Sequence, residues 1–284
     1  MISVVIPALN EEARIAECLL ALQAQTVPAD EILVVDGGSQ DKTAAIAQQC
    51  GAQVLHNPKR HAAAARNIGI QAAKGDVVAF IDADCIPAAD WLEQIALAFT
   101  DPALQGLGGK VVAAPPANAV EAFWSRLALE ILMSFGDEGY TVTQQTLNDA
   151  FITANAAYRT DLLRKIGGFD EWFANNAEDV DLSWRALQTG AVLRYVPQAR
   201  IQSHGVTTLR GVRKKSFRNG VSSSKLQKRY GRFINCDKRI YALLGKELCA
   251  MLRREPQADW MVMELVWHLL GKYYGSIKAG VINV

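Results

Sequence analysis

Asp76-Val77-Val78-Ala79-Phe80-Ile81-Asp82-Ala83-Asp84 sets five apolar residues between acids. A short apolar run closed by polar residues reads as a fully buried strand. It ends on two carboxylates one residue apart, and in an extended chain alternate residues share a side, so Asp82 and Asp84 are expected to point the same way. Two like charges converging at a sheet edge repel each other unless a cation sits between them or each has its own partner. Hard oxygen ligands of this kind suit Mg²⁺ or Mn²⁺, which would in turn clamp a diphosphate. The same pair would equally serve as solvated turn residues before the helix that follows Pro87.

On either side of this run the first hundred residues alternate between two signals. β-Branched runs at Ser3 to Ile6, Ile32 to Val35 and Gln53 to Leu55 are separated by stretches of helical periodicity at Glu11 to Ala24, Asp41 to Gln49, Ala62 to Ala73 and Ala89 to Phe99. This βαβα order predicts an α/β fold: a Rossmann-like, mostly parallel central sheet flanked by helices, with its ligand crevice at the carboxyl ends of the strands. The residues that follow the strands are therefore the candidates for chemistry. Asp36 ends the second strand and runs into Gly37-Gly38-Ser39-Gln40-Asp41. Glycines there allow close backbone approach to a ligand at a helix amino terminus, while Ser39 or Asp41 reads as a helix cap.

From Gly106 the pattern is less regular. It reads as a strand at Leu107 to Ala113, a helix at Val120 to Met133 and a polar loop from Ser134 to Asp149, of a length often found in lids. A strand-like Phe151 to Ala157 follows, then a helix at Thr160 to Ile166, the turn Gly167-Gly168, a helix at Ala177 to Gln188, and strands at Val192 to Val196 and Arg200 to Gln202. Glu178, Asp179 and Asp181 open the helix at Ala177. Acids in a first turn favour the helix dipole by about 0.3 to 1 kcal/mol each, so a purely structural role accounts for them as well as a chemical one does.

Composition and charge bound the function classes. The chain has 284 residues, 50% hydrophobic and 21% charged, with 21 Gly and 9 Pro. That composition is globular and excludes collagen-like and disordered readings. Five cysteines, Cys18, Cys50, Cys85, Cys236 and Cys249, show no C-x-x-C spacing, so neither a disulfide framework nor a thiolate zinc site is expected and a reducing compartment fits best. Met1 to Pro7 lacks a basic n-region and a long apolar run, so no secretory signal is expected, and no uninterrupted apolar stretch is long enough for a transmembrane helix. The net charge of +1 conceals a split: residues 1–204 hold 14 Lys/Arg against 24 Asp/Glu, and residues 205–284 hold 16 against 5. Such asymmetry points the tail towards an anionic partner.

Six motifs now stand in order: Val5-Ile6-Pro7-Ala8-Leu9-Asn10-Glu11-Glu12; Val34 to Ser39 with Asp41-Lys42-Thr43; Ala65-Arg66-Asn67-Ile68-Gly69; Asp82-Ala83-Asp84; Gly167-Gly168-Phe169-Asp170-Glu171; and Glu178-Asp179-Val180-Asp181-Leu182. In order and spacing they resemble the family-2 glycosyltransferases over roughly residues 2 to 205. The resemblance implies a GT-A fold, a nucleotide-sugar donor such as a UDP-sugar, a divalent cation (Mn²⁺ or Mg²⁺), and displacement at the anomeric carbon with inversion. It implies a catalytic domain over 1–205, with a nucleotide-sugar half to about 113 and an acceptor half over 114–205; the residues beyond the resemblance read as a helical, basic extension over 206–284. Carried over by position, Pro7, Asn10 and Glu11 would line the nucleoside, with Gly38 beside it. Asp36 would accept from the base, and Arg66 would pack near the base or diphosphate. Asp82 would hold ribose or metal, Asp84 would bind the metal, and His204 would complete the metal site. Asp179 would be the general base. His61 stands where relatives often have glycine, which questions the local loop geometry. The Gln-x-x-Arg-Trp signature of processive polysaccharide synthases is absent, which points to transfer of a single sugar.

Between Arg210 and Arg239 eleven basic residues face one acid, Asp237, interleaved with Phe217, Tyr230 and Phe233. Nucleic-acid binding would explain the charge but not the neighbouring Trp260, Met261, Met263, Leu265, Trp267, Leu269, Tyr273 and Tyr274, which suit a membrane headgroup boundary; a solvated face plus a helix packed on the core or on a second copy also fits. The membrane reading implies a lipid-linked or glycan acceptor, a role in bacterial surface polysaccharide or glycolipid synthesis, and a cytoplasmic enzyme held peripherally on the inner face of the plasma membrane. Two rival functions are a nucleotidyltransferase that makes the nucleotide sugar and a non-catalytic membrane-binding protein on the same scaffold.

Overall fold

The computed structural model describes residues 1–128, 136–143, 150–174, 176–231, 246–250, 252–254 and 257–281. The chain divides into two compact units, one of Met1–Ala114 with Leu129–His204, the other of Pro115–Ala128 with Gly205–Val284. Residues 115–128 thus group with the tail, although the sequence reading places them in the acceptor half. The reason is apolar: Phe123, Trp124 and Leu127 share one buried cluster with Val212, Met261 and Leu265.

The first unit alternates strand and helix: β1 (Ile2–Ala8), α1 (Ile15–Gln23), β2 (Glu31–Asp36), α2 (Thr43–Gln49), β3 (Gln53–His56), α3 (Ala62–Ala72), β4 (Val77–Ile81), β5 (Cys85–Pro87), α4 (Trp91–Ala98) and β6 (Leu104–Ala113). It continues through β7 (Tyr140–Val142), β8 (Asn155–Arg159), α6 (Thr160–Lys165), α7 (Glu178–Gln188) and β9 (Val192–Ser203), after α5 (Ala119–Ser125) of the second unit. Side chains of successive strand residues point to opposite faces, and each face of the sheet has its own core. Val4, Ile6, Val34, Ala79 and Ile81 pack with Ile15, Leu19 and Leu22 of α1 and Trp91 and Ile95 of α4. Val5, Leu33, Val35, Val78 and Phe80 pack with Ala65 and Ile70 of α3, Leu163 of α6 and Leu182 of α7. Burying a Leu or Ile stabilises by roughly 1.5–3 kcal/mol, which is why runs with no polar face lie in the middle of this sheet.

The strand order is β3-β2-β1-β4-β8-β6-β9-β5, with β7 paired to β9. β1 pairs in parallel with both β2 and β4, so the order reverses at β1, and the loops after β1, β2 and β4 open at the same edge. A crevice at such a switch point is where α/β sheets bind ligands. The α/β class holds and most strands run the same way, β6 pairing in parallel with β9, while β8 runs antiparallel to β4 and β6, and β5 and β7 run antiparallel to β9. The repeating crossover that enforces parallel pairing ends at α4, and no βαβ unit dictates direction beyond it.

Several local expectations shift. β9 is one strand through Ser203 rather than two, and β7 lies inside the stretch expected to be a loop, of which residues 134–135 and 144–149 fall outside the described residues. The helix expected to reach Met133 is described only to residue 128. In the second unit α5 is joined by α8 (Leu209–Tyr230) and α9 (Ala258–Ala279). Arg232, Lys238 and Arg239 of the basic run, Phe233 and the acid Asp237 lie outside the described residues.

One buried amide ties four elements of the first unit. Trp91 Nε1 of α4 donates to Asn155 Oδ1 of β8 at 2.8 Å, and Asn155 Nδ2 donates to the carbonyls of Lys110 in β6 (2.9 Å) and Ala199 in β9 (2.8 Å). Asn155→Ala strands these groups in the interior, where each orphaned partner costs about 1–3 kcal/mol. The expected loss in urea unfolding is therefore at least ~3 kcal/mol, and a loss below ~1 kcal/mol would show that the amide is not a tie.

Candidate active site

Strand alternation delivers Asp82 to the face of the sheet that carries α3 and α7, and there it meets Arg66. The guanidinium is 3% exposed. Its Nη2 donates to Asp82 Oδ1 at 2.9 Å and its Nη1 to Glu178 Oε1 at 2.6 Å, with the ring of Phe169 5.6 Å away. Burial works against the charge on Arg66, but Asp82, Glu178 and Asp179 outweigh it and hold the pKa above its ordinary value. Burial pushes the Glu178 carboxyl up, with Asp179 adding to the effect and Arg66 opposing it; burial also raises Asp179. Asp179 Oδ1 accepts from Val180 N at 2.8 Å. Asp181 plays a different part. Buried, it accepts from Arg185 Nε at 2.7 Å, and Arg185 donates onward to the carbonyls of Ile166 and Gly168. Of the acids that open α7, Asp181 braces the Gly167-Gly168 turn, while Glu178 and Asp179 belong to the Arg66 cluster.

The chain does not stay extended after β4. Cys85 N donates to Asp82 O at 3.0 Å, closing a turn, so the expectation that Asp82 and Asp84 project together from an extended strand gives way. Asp82 stays on the Arg66 side, and the turn sets Asp84 beside the end of β9, where His204 N donates to Asp84 O at 3.1 Å. His204 Nε2 lies 3.2 Å from Arg14 Nη1 and 3.3 Å from Glu17 Oε2.

The loops after β1 and β2 are laced together. Asn10 N donates to Ser39 Oγ (2.9 Å), Gln40 N to Asn10 Oδ1 (2.9 Å) and Glu11 N to Thr43 Oγ1 (2.8 Å). Asn10 has φ 57°, a left-handed conformation that asparagine tolerates, and Gly38 has φ 77°. Asp36, 8% exposed, accepts from Gly38 N (3.0 Å), Ser39 N (3.1 Å) and Ser39 Oγ (2.5 Å). Pro7 pairs in register with Val35 one residue before this loop. Burial and then the charges of Asp84, Asp82 and Asp41 push Glu11 up to about 7. His61 needs no glycine conformation: with φ −129° it is the N-cap of α3, its Nδ1 accepting from Ala64 N at 3.2 Å.

The sequence-predicted residues therefore fall into two neighbouring sets, Asp82, Arg66 and Asp179 on one side and Asn10, Glu11, Asp36 and Gly38 on the other, with Asp84 and His204 where β4 and β9 end. Glu178 and Arg14 were not singled out as site residues; the pairing of an arginine in α3 with the first acid of a Glu-Asp pair is the signal that would have found Glu178. A groove of about 490 Å³ between β3 and α3, lined by Leu55, Lys59, Asn67, Gln71 and Glu171 among others, contains none of these residues.

Among the described residues no three of His, Cys, Asp and Glu converge into a ready metal cage. The donor set nonetheless fits a hard cation that takes most of its ligands from phosphates and water, since such ions need only one or two carboxylates from the protein. The charges of Asp84 and Asp82 disfavour ionisation of Glu11, and such a cation relieves that crowding.

Sheet order, switch-point crevice and strand-end carboxylates define the GT-A class of fold, and solved structures agree. Glucosyl-3-phosphoglycerate synthase from Mycobacterium tuberculosis, in complex with Mn²⁺, UDP and glucosyl-3-phosphoglycerate, superposes with a TM-score of 0.58 at 21% identity, covering 81% of this chain and 80% of that one. The mannosyltransferase PcManGT from Pyrobaculum calidifontis, in complex with GDP-Man and Mn²⁺, gives 0.59 at 19% identity, covering 98% and 74%. The sequence pattern of Glycosyl transferase family 2 matches residues 3–167, and the chain belongs to that family. Among curated relatives, a pre-mycofactocin glycosyltransferase of Mycobacterium tuberculosis is 32% identical over 227 residues, 78% of this chain and 47% of the relative; glycosyltransferase AglE of Haloferax volcanii is 30% identical over 229 residues, 77% and 71%. The chain thus spans about half the length of the first of these.

Arg66→Met leaves Glu178 buried without its counter-charge, a change that typically costs about 3–5 kcal/mol. Without Arg66 the folded-state pKa of Glu178 rises further above its unfolded value, so low pH favours the folded variant and stability is lost as pH rises through that pKa. Denaturant unfolding of the variant at about pH 5.5 and 8.5 is expected to show the smaller penalty at the lower pH. Equal penalties would mean that Glu178 does not depend on Arg66 for its charge.

Proposed function

We propose that the chain is an inverting, metal-dependent glycosyltransferase that moves one sugar from a nucleotide-sugar, with UDP as the nucleotide, to a hydroxyl of a glycan or lipid-linked acceptor in surface polysaccharide or glycolipid synthesis. The observation that carries this reading is the buried Arg66 bridge, which brings the Glu178-Asp179 pair at the start of α7 to the carboxylate that ends β4. Transfer with inversion needs opposite chemistry on the two sides of the sugar ring, and the two sets of carboxylates offer it.

On the donor side, Pro7, Asn10, Glu11 and Gly38 line the nucleoside, Asp36 accepts from the base, and Asp82 takes the ribose or shares the cation with Asp84. His204 leaves Arg14 and Glu17 to complete that site. A bound Mn²⁺ or Mg²⁺ would neutralise the departing diphosphate. Arg66, already engaged by two carboxylates, acts as a positioning residue. On the acceptor side Asp179 takes the hydroxyl proton as the acceptor oxygen bonds the anomeric carbon, and the bond to the diphosphate breaks with its electron pair left on the phosphate oxygen. The complexes of the structural neighbours with Mn²⁺ and UDP or GDP-Man support donor and cation classes for this chain.

For the acceptor, the basic tail supports an anionic membrane surface and a peripheral location at the cytoplasmic face. Among the described residues no helix is long and apolar enough to cross a membrane.

A screen of UDP- and GDP-sugars with Mn²⁺, read by nucleoside diphosphate release, tests the class. EDTA is expected to abolish turnover and Mn²⁺ to restore it. Pyrophosphate release from a nucleoside triphosphate plus sugar phosphate would favour nucleotidyl transfer instead, and no turnover with any donor would favour a non-catalytic scaffold.

Asp179→Asn is expected to lower turnover by roughly 10² to 10⁴ with calorimetric donor affinity retained, whereas Asp84→Asn should lose metal-dependent donor affinity as well. Near wild-type turnover in Asp179→Asn would rule out the base assignment. Because burial raises Asp179 and its neighbour Glu178, turnover should fall as pH drops through a midpoint above the ordinary carboxylate range of about 4, the base being lost as it protonates. A pH-rate profile flat down to about pH 4.5 would contradict this.

A further inference from the structure

In the second unit the helices α8 and α9 are each 22 residues long and lie against each other. Contacts advance along both in the same direction: Val212 shares a cluster with Met261 and Leu265, a Cβ on Gly220 would collide with His268 and Lys272, and Ser224 Oγ donates to Lys272 O at 2.9 Å. The pair is therefore parallel. A Cβ on Gly271 would strike the Phe217 carbonyl, and one on Gly275 would crowd Val221, so backbone meets backbone along this seam. Small-residue seams of this kind are how helices pack where apolar side chains are not needed between them.

The consequence is a helix with inverted polarity. Beyond Leu265 the buried side of α9 carries Gly271, Lys272, Gly275, Ser276 and Ala279, with Glu264 buried just before it. Its solvent side carries Val266, Leu270, Tyr273 and Ile277, spaced by four, three and four residues and hence in one row. They are exposed by 41, 48, 47 and 83%. Lys278 Nζ lies 5.5 Å from the centre of the Tyr274 ring, itself exposed, giving that end of the row an aromatic and cationic rim. The partner helix supplies the charge: α8 has no acidic residue in its 22, and Arg210, Lys214, Arg218, Lys228 and Arg229 are exposed.

A water-facing helix places its polar side outward, so an apolar outer row backed by a polar seam marks a surface meant for a non-aqueous neighbour. A second copy of the chain would meet the row with apolar surface, but it would also bring a second α8 with the same excess of cations. An anionic bilayer answers both features. We propose that the outer row of α9 lies in the plane of the membrane, in the boundary between headgroups and acyl chains, while the exposed cations of α8 engage acidic lipid headgroups. This deepens the membrane reading given above and rests on it only for where the acceptor is met; the contact itself requires neither donor nor acceptor.

The test is flotation of the full chain with vesicles of phosphatidylcholine alone or with about 30% phosphatidylglycerol, a composition chosen at roughly the anionic content that exposes electrostatic binding. Binding is expected only with the acidic lipid and is expected to weaken as salt rises. Leu270→Glu/Ile277→Glu should reduce binding at least ~10-fold, and Lys214→Glu/Arg218→Glu should lower it and flatten its salt dependence. Leu270→Ala/Ile277→Ala, which keeps helix propensity at exposed positions, should give an intermediate loss and guards against misfolding of the glutamate variant. Nucleotide release from the donor, measured on the same samples in detergent-free buffer, gauges the transferase reading separately and should be unchanged in these variants. Equal flotation of wild type and both Leu270/Ile277 variants would overturn the proposal, as would wild-type protein that ignores vesicles and changes from dimer to monomer in light scattering when Leu270 and Ile277 are replaced.

Discussion

The guanidinium of Arg66 has been taken out of water, and the arrangement of the strand ends around it follows from what that requires. A buried cation needs anions with good geometry, or its desolvation outweighs any gain. Asp82 and Glu178 meet that need at 2.9 and 2.6 Å, one from the end of β4 and one from the start of α7, elements far apart in the chain. Local signals alone do not hold the start of α7. The N-cap of α7 is Ala177 with φ 66° and no side-chain cap, a position that costs backbone energy and that only surrounding structure can hold. The ion bridge, the Asn67 side chain that exchanges hydrogen bonds with the Phe169 backbone at 2.7 and 2.9 Å, and the Asp181–Arg185 brace together supply that hold.

The same bridge divides the carboxylates into two populations. Glu178 and Asp179 sit beside a fixed positive charge that opposes, without cancelling, the upward push of burial on their carboxyls. Glu11, Asp82, Asp84 and Asp41 crowd the strand ends, where each neighbour raises the cost of ionising Glu11. A proton or a divalent cation relieves that crowding, and the two compete for the same lone pairs. Charge density near the switch point is thus an asset only with a cationic ligand in place, while the Arg66 side carries a counter-charge of its own. In the proposed transfer, two carboxylate environments with different counter-charges would separate proton transfer from leaving-group stabilisation.

Much of the first unit was legible because its signals are local. Short apolar and β-branched runs, glycines after Asp36 and helical periodicities between strands each follow from short-range physics, and they place β1 to β4 and α1 to α4 close to where they lie. Direction of pairing beyond β4 was not legible: β8 reads as a strand in sequence, but its antiparallel seat between β4 and β6 depends on partners far away in the chain, including Trp91 and the Lys110 and Ala199 carbonyls that its Asn155 amide reaches. The extended geometry expected for Asp82 and Asp84 failed for a similar reason. Period-2 reasoning assumes that a strand continues, and the hydrogen bond from Cys85 N to Asp82 O turns the chain there. At His61 the sequence raised a doubt that local chemistry resolves, since a histidine imidazole can accept the helix's own N–H and spare the need for glycine.

The tail shows where periodicity misleads. Val266, Leu270, Tyr273 and Ile277 recur at helical spacing, and that spacing by itself assigns them to a core. What reverses the assignment is the opposite side of α9, where Gly271 and Gly275 admit the backbone of α8 so closely that no large side chain can enter. An apolar stripe says that one face of a helix avoids water, not which neighbour provides the shelter. The decision rests with the residues on the other face: when they are small enough to pack backbone on backbone, the protein has already used that face, and the apolar stripe is left turned outward.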